Sequence, residues 1–301
     1  MLAGALGAMA AAFVFAPRAA AQGDGGAEQG EQNFFAKNGI APVAGPAQVK
    51  LGRQAEIDMP EGFVFIGGRD IKKFYDATRN IYSGNEIGVV ISSEGWTIFF
   101  DYNDSGHIDD KDRSELDAGA LYKEMEKNQR AGNRDRRKKG WDEFMLMGWT
   151  SKPHYDKETN NLTWAFRMAS SRDNYTETFI NQNIRLLGRT GYVSAIVVGD
   201  DSADYAKTEA GANELLKRFR FSPGETYAEF RSGDKIAQYG LAALVLGGAG
   251  AIAAKTGFLS KFGKYIVMGV IAIGAWFARM FKRMFGMEAK GDRFGDNNNN
   301  P

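Results

Sequence analysis

The sequence predicts an α+β domain, an antiparallel sheet with helices packed on it, followed by a C-terminal transmembrane helix or helical hairpin. Three observations carry this. Short apolar runs alternate with period two between clusters of turn residues, a few segments switch to helical spacing, and two long uncharged runs stand near the C-terminus. No unit of about 20 to 50 residues repeats, so a solenoid or propeller is excluded.

Taken in order, "AQVKL" and "AEIDM" (residues 47–51 and 55–59) read as two short strands joined near Gly52, and "GFVFIG" continues the extended pattern. In "RDIKKFYDATRN", Ile71, Phe74, Tyr75 and Thr78 fall at helical spacing. "EIGVVIS" and "WTIFFDY" return to strand alternation across a Ser93-Glu94-Gly95 turn. Asp117 is placed to cap a helix that puts Leu121 and Met125 on one face and stops at Gly140. Four extended runs follow, "EFMLMGWTSKPHYD", "NLTWAFRMAS", "TETFINQNIRLLG" and "GYVSAIVVGD", which predict an antiparallel meander. A last amphipathic helix covers Ala203 to Arg218, with Leu215 and Leu216 inward. The folded domain is expected over residues 47–230.

Composition narrows the chemistry. With 38 Lys+Arg against 37 Asp+Glu there is no long-range field to attract nucleic acid, and no nucleic-acid partner is expected. The absence of cysteine excludes disulfides, thiolate metal sites and thiol nucleophiles. The two histidines, His107 and His154, share no i, i+3 or i, i+4 relation, so a local zinc motif is missing.

Both ends read as membrane-directed. Leu2 to Phe15 is an apolar run that leads to Ala19-Ala20-Ala21, the pattern of a signal peptide over residues 1–21, although no Lys or Arg precedes it. Residues 22–46 begin polar and glycine-rich and read as a disordered spacer. Ala237–Ala254 is 18 residues without a charge, and Tyr265–Ala278 adds 14 more, long enough to span only if Lys264 and Arg279 snorkel. Residues 237–285 are thus expected to form a membrane anchor of one or two helices, and residues 286–301 a disordered tail. Two spans return the chain to the exported side; one span leaves Arg279, Lys282 and Arg283 in the cytoplasm.

The strings "MPEGFVFIGG", "DYNDSGHIDDKD", "GWTSKPHYDKETNNLTWAF", "NQNIRLLGRTGYVS" and "YGLAALVLGG", in this order, give the chain its resemblance to a bacterial membrane-anchored family catalogued as domain of unknown function 2167. The resemblance implies an exported domain tethered by its C-terminus to the bacterial inner membrane, on the periplasmic side, and brings no established activity. The element order also looks like the sandwich of PsbP and Mog1-like proteins, which are mostly binding modules.

"DYNDSGHIDDKD" carries the most specific chemistry. Asp101, Asn103, Ser105, Asp109 and Asp112 stand at places 1, 3, 5, 9 and 12 around Gly106, the oxygen spacing of a calcium loop in which His107 offers its backbone carbonyl. Against calcium, Asp112 replaces the usual bidentate Glu and a strand precedes the loop instead of a helix. An acidic turn would select the same residue types. Trp96, Trp141, Trp149 and Trp164 are expected in the core, and the cationic run "RDRRKKG" at the end of the Asp117-capped helix is expected to be solvated, with a lipid-headgroup contact as the alternative. The expected function is a membrane-tethered extracytoplasmic module that binds a protein partner or the envelope, with calcium as an optional cofactor. The alternative is an enzyme using carboxylates such as Asp101, Glu143 or Asp156.

Overall fold

The computed structural model describes residues 34–201 and 205–247. Its strands are β1 (Val43–Ala44), β2 (Ala47–Leu51), β3 (Ala55–Met59), β4 (Phe63–Ile66), β5 (Glu86–Ser92), β6 (Thr97–Asn103), β7 (Phe144–Asp156), β8 (Asn161–Ser170), β9 (Thr178–Leu187), β10 (Tyr192–Asp200) and β11 (Phe219–Phe221). Its helices are α1 (Asp70–Ala77), α2 (Ala118–Lys138), α3 (Tyr205–Leu216) and α4 (Leu241–Val245). Eight strands form one sheet in the order β1-β4-β5-β6-β10-β9-β8-β7, and three form a second in the order β11-β3-β2. Every pairing is antiparallel. The predicted meander is the run β7 to β10, and the predicted cap holds: the Asp117 carboxylate accepts from Gly119 N at 2.9 Å and Ala120 N at 3.1 Å.

Alternation along the strands divides the large sheet into two buried faces. On β10, Tyr192, Ile196 and Val198 enter one core while Val193, Ala195 and Val197 enter the other. Helices α1, α2 and α4 cover the first face through Phe74, Met125 and Leu244. The small sheet and α3 cover the second through Leu51, Ile57 and Leu215. A central strand flanked by apolar layers on both sides has no solvent face, which is why β10 is buried from Tyr192 to Gly199.

Two expected boundaries are corrected. The domain begins before residue 47: residues 34–37 form a helical turn, Phe35 and Ile40 are buried in the helix-covered core, and β1 pairs with β4. The latter part of the supposed spacer is therefore ordered, because two apolar side chains find a place under α1. The domain also continues past residue 230. Leu241, Leu244, Val245 and Leu246 lie in the core, so residues 237–247, expected to open a membrane anchor, belong to the domain and satisfy their apolar side chains against protein. Among the described residues no helix is long and apolar enough to cross a membrane. The expected signal peptide, residues 22–33 of the spacer, residues 248–285 of the anchor and the tail lie outside the described residues.

Candidate functional site

Residues 101–112 comprise the last three residues of β6 and the loop after it, which receives the C-terminal strap, residues 222–247, as it returns. Strap and loop exchange backbone hydrogen bonds: His107 N donates to Lys235 O at 2.8 Å, and Ala237 N donates to His107 O at 2.9 Å. The His107 ring stacks between Tyr227 and Phe230, with centroids at 4.3 and 4.2 Å, and its desolvation lowers its pKa. Gly106, at φ +91°, is required because a Cβ there would stand 2.7 Å from Lys235 O. Beside the loop, Arg189 donates through Nε and Nη2 to both oxygens of Asp234 at 2.7 Å, a bidentate clamp that holds the Asp234 carboxyl down to about 2.

This arrangement disperses the oxygens that the spacing suggested for calcium and engages most of them elsewhere. Asp101 lies on β6 opposite Ser194, turned onto the sheet face, and Asn103 ends the same strand opposite Tyr192. Ser105 Oγ donates to Gly106 O. The His107 carbonyl is taken by the strap. Asp109 accepts from Lys111 N and pairs with the Lys111 ammonium. The Asp112 carboxylate accepts from Leu241 N at 3.1 Å and Ala242 N at 3.3 Å, at the start of α4. A calcium ion needs six to eight oxygens converging at about 2.3–2.6 Å. Among the described residues no three His, Cys, Asp or Glu side chains gather in that way. As placed, these donors do not converge on one point, and the loop serves instead as a cradle for the strap. Short polar side chains that suit a cation also satisfy the backbone groups of a second segment, and here the second segment is present.

Next to the cradle lies a polar row, buried at Ser194 and Arg185 and half-buried at Glu86 and Asp101, that the sequence reading passed over. Glu86, Asp101, Ser194 and Arg185 stand side by side across β5, β6, β10 and β9. Arg185 is only 7% exposed; its guanidinium lies 4.7 Å from the Trp164 ring centroid and 5.9 Å from that of Tyr192. Arg185 Nε and Nη1, with Trp164 Nε1, find no acceptor among the described residues. Desolvation pushes the Asp101 carboxyl up to about 6 despite the opposing pull of Arg185. Arg185 shares one face of β9 with Asn181 and Asn183, which from sequence reads as an ordinary solvent row; all three are buried. Among the four predicted core tryptophans, Trp96 and Trp164 are fully buried, while Trp141 and Trp149 are half-buried.

A family described as "Protein of unknown function (DUF2167)" matches residues 43–277. The chain belongs to this family. The match takes in the whole sheet, the cradle, the strap and most of the apolar C-terminal segment, as the five quoted strings implied. No curated protein matches. Among solved structures, cyanobacterial PsbP from Synechocystis sp. PCC 6803 is similar at 9% identity and a TM-score of 0.34, over 61% of this chain and 92% of that one. The Ran-binding protein Mog1p of Saccharomyces cerevisiae is similar at 10% identity and a TM-score of 0.31, over 63% of this chain and 100% of that one.

The carboxylates weighed for an enzyme stand apart. Asp101 is half-buried on the polar row of the large sheet. Glu143 pairs with Arg137 at the end of α2, and Asp156 closes the β7–β8 turn by accepting from Glu158 N and Thr159 Oγ1. A separate cavity of about 250 Å³ opens between the β5–β6 turn and α3, lined by residues that include Glu61, Glu94, Trp96, Glu214 and Arg218.

Proposed function

We propose that this protein is a bacterial, membrane-tethered extracytoplasmic module that works by binding a protein partner. The observation that carries the reading is the strap. It is clamped at Asp234, threaded through the cradle at His107 and capped at Asp112, so the chain is handed over at a fixed place, Gly247, to the apolar remainder of the sequence. With residues 237–247 held by the domain, the span that remains is Tyr265–Ala278, flanked by Lys264 and Arg279. A single crossing there leaves Arg279, Lys282 and Arg283 on the cytoplasmic side, in keeping with the positive-inside rule. We read the order of elements as that of a PsbP or Mog1-like sandwich.

The partner face we assign is the outer side of β7 and β8, beyond the edge of the small sheet. Met145 and Met147 are 42% and 45% exposed there, and Met145 stands opposite Ala169. Flexible, polarisable methionines on an open sheet face suit a repacking protein contact. The test is a pair of fusions made after Gly247 and after Asn299, with alkaline phosphatase and with a cytosolic fluorescent reporter. Phosphatase activity at the first and fluorescence at the second support the reading; fluorescence at the first refutes export. A photo-crosslinker at Met147 that traps no protein in cells, while the fusions behave as stated, refutes the partner face alone.

A further inference from the structure

From Lys123 to Lys139 every exposed residue of α2 and its C-terminal cap is Lys or Arg. Lys123, Lys127, Arg130 and Arg134 recur at spacings of three and four, so they form one stripe along about 16 Å of helix. The helix does not neutralise that stripe. Lys127 reaches Glu124 at 3.5 Å, Asp135 pairs with Lys138 and Glu143 with Arg137, and Glu126, the remaining carboxylate of the helix, makes no ion pair among the described residues, so four cations of the stripe face two carboxylates. Lys123, Arg130 and Arg134 carry no ion pair among the described residues. The opposite side of the helix is the buried one, through Leu121, Met125, Gln129 and Arg136, so the cations point directly away from the sheet.

The chain leaves the domain beside this helix. Asn128, on the flank between the buried and the cationic faces of α2, donates through Nδ2 to Leu246 O at 3.4 Å. That carbonyl is one residue before Gly247, where the described residues end and the apolar remainder of the sequence begins. The crossing proposed above begins at Tyr265, with 17 residues, 248–264, between it and Gly247, so the tether departs from the side of the domain that carries the α2 stripe. We propose that the Lys123–Arg134 stripe of α2 is a docking surface for anionic phospholipid headgroups, which sets the domain against the membrane with the large sheet above it. The inference rests on the tethered reading given above. Near a bilayer the attraction accumulates per cation and decays within a screening length, so the stripe orients the domain without needing a lipid pocket.

The chain has no cysteine, so single labels can be placed at will. The full-length protein is reconstituted with an environment-sensitive fluorophore at Ala131→Cys, beside the stripe, or at Gln48→Cys, on the small sheet beyond the other face of the large sheet. Vesicles are phosphatidylcholine alone or equal parts phosphatidylcholine and phosphatidylglycerol, each with a headgroup-attached quencher. The expected result is flotation with both vesicles. Quenching at position 131 should exceed that at position 48 only with phosphatidylglycerol, and should fall to the position-48 level at about 1 M salt, where the screening length is about 3 Å. The quadruple variant Lys123→Gln, Lys127→Gln, Arg130→Gln, Arg134→Gln, which alters only exposed side chains, should still float and lose the quenching. Flotation with equal quenching at the two positions overturns this proposal and leaves the tether intact; an acidic protein as the true occupant of the stripe gives that outcome. Failure to float with either vesicle overturns the tether, and this proposal with it.

Discussion

Replacing Leu244 by Ala separates a strap that belongs to the domain from one that belongs to the bilayer. Leu244 has no exposed surface and lies in the core beneath the large sheet together with Leu241 and Val245. Truncating a buried Leu to Ala costs about 2–5 kcal/mol, the spread reflecting how far the surroundings collapse into the gap. Here the side chain sits on a five-residue helix pinned at its start by Asp112, which leaves limited room to shift, so we expect about 3 kcal/mol. For a domain of this size each kcal/mol moves the melting midpoint by about 2–4 °C, which makes the expected fall roughly 6–12 °C. The assay is thermal unfolding of full-length protein in detergent, followed by tryptophan fluorescence, since Trp96 and Trp164 are buried in the domain. Ile271→Ala, in the second apolar run, is the comparison and should leave the midpoint where it is. A Leu244→Ala midpoint equal to wild type would mean that Leu244 faces lipid, and the docked strap would have to be abandoned.

Other expectations follow from the cradle and the polar row. Asp112→Ala removes the acceptor for two N–H groups at the start of α4 and should cost about 1 kcal/mol in urea unfolding, whereas Asp112→Asn should cost less than half of that. Asp101 has a folded pKa of about 6, above the unfolded value near 3.9, so its contribution favours the native state most below pH 4 and is lost as pH rises through 6. Relative to wild type, Asp101→Asn should therefore gain on the order of 2 kcal/mol between pH 4.5 and 7.5; a constant difference between the two proteins across that range would contradict the desolvated placement. Melting midpoints measured in millimolar calcium and in chelator should coincide, because a ligand held by the native state has to raise the midpoint.

The strands were legible because their information is local. A run such as "AEIDM" alternates at the period of the pleat, and its bounds as β3 can be read from five letters. The same holds for Asp117, whose cap involves only Gly119 and Ala120. The family could also be read, since five short strings in fixed order carry it.

What the letters left open depends on which distant surface each segment meets. The uncharged stretch from Ala237 satisfies a membrane and a protein core equally, because both are apolar and hydropathy has no term for which one is near. Asp112 is equally suited to an ion or to two backbone N–H groups, and only the return of the strap 129 residues later selects the second. Arg185 alternates like a surface residue, yet α1, α2 and α4 close over that face of the sheet and bury it. Local periodicity thus determined the elements and their order, while the tertiary structure decided which faces are covered, since burial is set by contacts between segments far apart in the chain and not by the residues that become buried.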